Sequence, residues 1–141
     1  MTALDGQCMC GAVSFQATPT GDFPAGVCHC SMCRRWSGGM FISVSCGDSV
    51  SIAEGAPLNV FDSSEWGQRV SCAKCGSSLI WRSKDGKQNQ VSIQCFDDPG
   101  QFAVGMEIFV DDKPGCYDLA NSTQKLTGAE VIAMFSGEGG Q

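Results

Sequence analysis

Cys8-Met9-Cys10-Gly11-Ala12-Val13-Ser14-Phe15-Gln16-Ala17 runs from a pair of thiols into an alternation of apolar and polar residues. In an extended chain, residues i and i+2 face the same side, so Cys8 and Cys10 can present two sulfurs to one point. The alternation from Gly11 to Ala17 reads as a half-buried strand. Both features, sulfur pairs and short alternating runs, recur along the chain. Together they predict a loop-rich, mainly β protein organised around bound metal.

Cys28-His29-Cys30-Ser31-Met32-Cys33 forms a second cluster, read as a single loop, and Cys72-Ala73-Lys74-Cys75-Gly76 forms a third. Zinc takes four ligands in a tetrahedron with zinc–sulfur bonds of ~2.3 Å, so its sulfurs must lie within about 4 Å of one another. A Cys-x-x-Cys turn meets that requirement, as an extended Cys-x-Cys does, and a following glycine (Gly76, and Gly11 in the first cluster) relieves the tight backbone. The half-sites Cys8/Cys10 and Cys72/Cys75 make a set of four, the pattern of a closed structural zinc. Cys28, Cys30 and Cys33 make a set of three. That leaves a fourth position for water or a substrate atom, the pattern of a catalytic zinc. Two other arrangements fit the spacing: Cys28/Cys30 joined with Cys72/Cys75, or a fourth ligand supplied by Cys46 or His29.

The 141 residues, 43% of them apolar, suit one domain over residues 1–141 with one main core. The tail Gly137-Glu138-Gly139-Gly140-Gln141 is expected to be flexible. No apolar run is long enough to span a bilayer. Met1-Thr2-Ala3-Leu4-Asp5-Gly6 has neither a basic leader nor an apolar segment, which predicts a cytoplasmic protein. In that reducing compartment, ten cysteines point to metal rather than disulfides, and seven of them fall in tight metal-ligand spacings. A net charge of −6 lacks the basic footprint that phosphate backbones require, so neither nucleic acid nor membrane is an expected partner. The only basic doublet is Arg34-Arg35.

Further strands are expected at Met40–Cys46, Asn59–Phe61, Ser78–Arg82, Val91–Phe96 and Phe102–Val110, separated by turns such as Asp97-Asp98-Pro99-Gly100. Thr127-Gly128-Ala129-Glu130 has the capping-box spacing. It predicts one short C-terminal helix with Val131, Met134 and Phe135 on one face.

Three ordered stretches carry a resemblance: Gly6-Gln7-Cys8-Met9-Cys10-Gly11-Ala12-Val13, then Cys28-His29-Cys30-Ser31-Met32-Cys33-Arg34 with Ser37-Gly38, then Cys72-Ala73-Lys74-Cys75-Gly76. With Ile108-Phe109-Val110-Asp111-Asp112-Lys113-Pro114 and Tyr117-Asp118-Leu119, the chain resembles the glutathione-dependent formaldehyde-activating enzymes over residues 6 to 126. This family is also related to centromere protein V. The resemblance implies a β-tent of stacked antiparallel sheets. It implies a structural zinc on Cys8, Cys10, Cys72 and Cys75 and a catalytic zinc on Cys28, Cys30 and Cys33. It also implies carbon–sulfur lyase chemistry on an adduct such as S-(hydroxymethyl)glutathione. Cys116 stands where that pattern leads one to expect an aromatic residue.

On this reading, a small-molecule thiol such as glutathione binds at the three-cysteine zinc, and Arg34 and Arg35 contact its carboxylate, which guanidinium groups grip bidentately. His29, the only histidine, points away from the metal and is expected to pack or hydrogen-bond rather than shuttle protons. Cys46 and Cys95 read as core residues, and Trp36, Trp66 and Trp81 as aromatic packing. The competing reading is a non-catalytic, zinc-stabilised binding module with two closed sites. A chromatin role is disfavoured by the acidic charge. The identity of the fourth ligand separates the enzyme from the module.

Overall fold

Among the described residues, short alternating runs broken by turn glycines fold into eleven strands in two sheets. A computed structural model describes residues 2–136. The strands are β1 (Leu4–Gln7), β2 (Ser14–Ala17), β3 (Ala25–Cys28), β4 (Phe41–Ser45), β5 (Ser51–Ile52), β6 (Leu58–Asp62), β7 (Gly67–Cys72), β8 (Ser78–Ser83), β9 (Asn89–Ser92), β10 (Val104–Ile108) and β11 (Gln124–Leu126). Two helices accompany them, α1 (Ser31–Ser37) and α2 (Gly128–Ser136). The mainly β architecture and the C-terminal helix match expectation. The expected flexible tail, 137–141, and the side chain of Phe135 lie outside the described residues.

The small sheet has the order β1-β2-β5 and the large one β11-β10-β3-β4-β9-β8-β7-β6. Most neighbours are antiparallel, but β10 runs parallel to both β3 and β11. A parallel pair needs a long crossover, and the irregular stretch from 109 to 123 supplies one between β10 and β11. One cluster of buried side chains joins the sheets: Val13, Phe15 and Ala17 from around β2 pack with Val44, Val70, Leu79, Ile80 and Val91 from the large sheet. Close approach of β1 to β2 depends on Gly6, where a Cβ would lie 2.4 Å from the Phe15 ring.

Several boundaries differ from the sequence reading. The first alternating run forms a strand only from Ser14, because Cys8 to Val13 is bent by hydrogen bonds from Cys8 N to Val13 O and from Gly11 N to Cys8 O. The stretch from Val91 is a strand only to Ser92 and then a 3-10 turn at Ile93–Cys95. The second cysteine cluster is not a loop. Cys28 ends β3, Cys30 caps α1 and Cys33 lies inside it. The capping box forms as expected: Glu130 N donates to Thr127 Oγ1 at 3.2 Å, and Thr127 N donates to Glu130 Oε1 at 2.9 Å.

Candidate metal centre

Local geometry converges the cysteines into the two sets that counting gave. The four sulfurs of Cys8, Cys10, Cys72 and Cys75 lie within 4.8 Å of one another, and so do the three of Cys28, Cys30 and Cys33. Within the first set, Cys8 and Cys10 sulfurs are 3.6 Å apart and Cys10 and Cys72 sulfurs 3.8 Å. A tetrahedron with zinc–sulfur bonds of ~2.3 Å has edges of about 3.8 Å, so this set fits zinc. Backbone donors already face the sulfurs: Val13 N to Cys8 Sγ at 3.3 Å, and Lys74 N and Cys75 N to Cys72 Sγ at 3.3 and 3.4 Å. Such donors favour the thiolate form. Ser77 pulls the Cys75 thiol down to about 5 through its side-chain hydroxyl and backbone. The turns stay tight because Gly11 and Gly76 take φ of 81° and 79°, a conformation that costs glycine nothing.

The set of three is built by the end of β3 and the first turn of α1. Cys30, in extended conformation at the helix N-cap, accepts from Cys33 N at 3.4 Å, which folds Cys33 back beside it. Hydrogen bonds from Cys28 and Cys33 draw the Cys30 thiol down to about 2, and the same pairing with Cys30 pushes the Cys28 thiol up. Three sulfurs held within 4.8 Å of one another repel as thiolates unless a cation lies among them. Among the described residues, no other His, Cys, Asp or Glu atom joins this set.

The alternatives left open by spacing are closed by geometry. His29 is fully buried, with Nε2 2.8 Å from Glu107 Oε1. The Glu107 carboxylate also accepts from Thr123 Oγ1. His29 therefore has the hydrogen-bonding role expected of it. Cys46 sits in the core with Sγ toward Val44 O, and burial raises its thiol to about 12. Cys95 packs against the core, and burial first of all raises its thiol to about 11. Cys116 is exposed and belongs to neither set.

Arg34 and Arg35 divide. Arg34, half-buried, donates from Nε to His29 O at 2.9 Å and so braces the cysteine segment, whereas Arg35 is exposed. Trp66 and Trp81 are not core residues. Trp66 is exposed and Trp81 half-buried. Trp36 packs on Phe41 with ring centroids 5.0 Å apart.

One residue escaped the sequence reading altogether. Arg69, in β7, is 5% exposed, donates from Nη1 to Cys33 Sγ at 3.4 Å, and holds its guanidinium 5.1 Å from the Trp36 ring centroid. A single arginine between Gln68 and Val70 carries no signal of burial, and its meeting with Cys33 depends on α1 lying over β7 and β8. That placement is fixed in part by Ser78 Oγ donating to Trp36 O at 3.0 Å.

Comparisons with known proteins bear on the family and the fold. A family profile described as glutathione-dependent formaldehyde-activating enzyme matches residues 3–112, so the closing stretch around Tyr117 lies beyond the matched residues. The chain is 30% identical to an uncharacterized lyase of Schizosaccharomyces pombe over 133 residues, 94% of this chain and 96% of the relative. It is 32% identical over 84 residues, 54% of each chain, to a Halomonas elongata protein named after the same enzymes. A solved Rhodobacter sphaeroides protein shares the fold, with a TM-score of 0.61 and 19% identity, covering 88% of this chain and 100% of that one. With its sulfur sets inside the matched stretch, the chain belongs to the family of glutathione-dependent formaldehyde-activating enzymes.

Proposed function

We propose that this protein is a zinc-dependent carbon–sulfur lyase. It forms or cleaves a thiol–aldehyde adduct such as S-(hydroxymethyl)glutathione at Cys28, Cys30 and Cys33. The observation that carries the reading is the unequal division of sulfur: four thiols in one set, three in the other, and no fourth side-chain ligand beside the three among the described residues. A binding module with two closed sites needs that fourth ligand. Family membership and the lyase-named relative support the reaction class. The names of the family and of the Halomonas protein support glutathione and formaldehyde as the thiol and aldehyde.

In the forming direction, the thiol gives up its S–H proton, a bond forms from sulfur to the aldehyde carbon, and the proton finishes on the former carbonyl oxygen. Cleavage reverses each change. Zinc held by Cys28, Cys30 and Cys33 would supply a soft Lewis acid that keeps an incoming sulfur as thiolate at neutral pH. The chain's own residues fix where this happens. The Cys30 cap sets the first turn of α1, Arg34 braces the backbone at His29, and the His29–Glu107 pair anchors that segment to β10. Arg35, exposed on α1, is free to grip a substrate carboxylate, with Arg34 beside it. Cys8, Cys10, Cys72 and Cys75 would hold the second, structural zinc. No described helix is long and apolar enough to cross a membrane, and the reducing cytoplasm is the compartment that keeps these thiols available.

Cys30→Ser tests the proposal. The variant is expected to keep its fold and the zinc of the four-cysteine set, lose the other zinc, and lose catalysis of glutathione–formaldehyde exchange followed by nuclear magnetic resonance. Full exchange activity in that variant would refute a three-sulfur catalytic site.

A further inference from the structure

The buried guanidinium of Arg69 raises a question that the cysteine sets alone do not answer. Burying a cation is costly unless an anion compensates it, and Arg69 has no carboxylate partner among the described residues. Its surroundings are the Cys33 sulfur and the Trp36 face, and its Nε has no hydrogen-bond partner among the described residues. On β7 it stands directly across from Phe61 of β6 and Trp81 of β8, and such cross-strand partners share a face of the sheet. The compensating anion is therefore the sulfur cluster itself.

Resting on the lyase reading above, we infer that Arg69 is a positioning residue. Its charge offsets the thiolates of Cys28, Cys30 and Cys33 so that the site accepts an anionic sulfur as its further ligand. Three thiolates around a divalent ion leave one net negative charge, which opposes a fourth anion. Arg69 returns the centre to neutrality. A partner that only packed Cys33 in place would affect all ligands alike, whereas a charge offset favours anionic ligands over neutral ones. By Coulomb's law, a unit charge about 6 Å from an anion, at an effective dielectric of about 20, changes the anion's affinity on the order of 100-fold.

The test compares two small ligands on the cobalt-loaded protein, read by absorption: 2-mercaptoethanol, which binds as an anionic thiolate and has no carboxylate for Arg34 or Arg35, and neutral imidazole. Arg69→Gln is expected to lose thiol affinity on the order of 100-fold while binding imidazole within a few-fold of the unaltered protein, and Arg69→Lys is expected to restore most of the thiol preference. Equal weakening of both ligands, or no change in either, overturns the inference. If Arg69→Gln does not fold, Arg69→Lys decides alone, since loss of its thiol preference contradicts a role for charge. If the unaltered protein binds no thiol at the cobalt, the lyase reading itself fails, and that result is distinct from an Arg69→Gln that binds thiol normally.

Discussion

Glu107 shows how one residue outside the cysteine sets supports them. Its carboxyl is 2% exposed. Burial works to raise it, but hydrogen bonds from Thr123 and His29 prevail and hold it below its usual 4.5. A carboxyl lowered in the folded state adds stability that is fully present above the unfolded value and is lost as pH falls through the folded one. Glu107→Gln is therefore expected to lower stability by about 1–3 kcal/mol at neutral pH, the usual cost of breaking a buried charged hydrogen-bond network. The deficit should shrink as pH drops below about 4.5. Urea unfolding of both proteins at neutral and acid pH checks this, and a deficit independent of pH would contradict the linkage. None of this network was legible in the sequence beyond the expectation that His29 would hydrogen-bond. Its partner lies 78 residues away in the chain, and only the parallel pairing of β3 with β10 brings the two together.

At the scale of elements, what could be read from the sequence was what local geometry decides. The Cys-x-Cys and Cys-x-x-Cys units work because residues close in the chain must converge, so the half-sites and the Cys28-to-Cys33 cluster were visible before any fold was known, whereas the joining of Cys10 to Cys72, 62 residues apart, was only one of the arrangements the spacing allowed. The box at Thr127 and Glu130 is likewise local, and it begins α2 as its spacing predicts. By contrast, α1 was hidden. It has seven residues, too few for a helical period to show, and its cap is Cys30, a residue outside the usual capping set. β7 was hidden because Arg69, a polar residue on a buried row, interrupts the pattern that a strand would show. β3, Ala25-Gly26-Val27-Cys28, is short and contains a glycine whose Cβ position faces Met106 at the β10 pairing. Thr127→Ala removes the cap of α2 and is expected to cost about 1 kcal/mol, a drop of roughly 3 °C in melting temperature for a chain of this size. An unchanged melting curve would show that docking of Gly128 on the Phe109 ring and Asp111, not the cap, holds the helix.

For the whole molecule, the position of the four-cysteine set matters more than its composition. Cys8 and Cys10 lie between β1 and β2 of the small sheet, while Cys72 ends β7 of the large sheet and Cys75 follows it in the turn to β8. Metal bound there would tie together two sheets that are also linked by the bridge from Gly6 to Phe96 and by the hydrogen bond from Thr20 N, just after β2, to Ser45 O of β4. The shared core also joins them, so two devices compete to explain cohesion: apolar burial and the metal clamp. They separate on removal of the metal. If burial dominates, Cys72→Ser should lower stability without changing which sheet opens first. If the clamp dominates, the three strands β1, β2 and β5 should become selectively mobile, because they have fewer pairings of their own. Structural zinc in small domains contributes apparent free energies on the order of 10 kcal/mol, enough to rival the packing of a few side chains, each about 2 kcal/mol. Cys72→Ser, or chelation of the unaltered protein, is therefore expected to speed amide hydrogen exchange in β1, β2 and β5 by at least about 100-fold. The central strands β3, β4 and β9 should change far less. Uniform acceleration across both sheets would instead identify the shared core as the element that holds the sheets together.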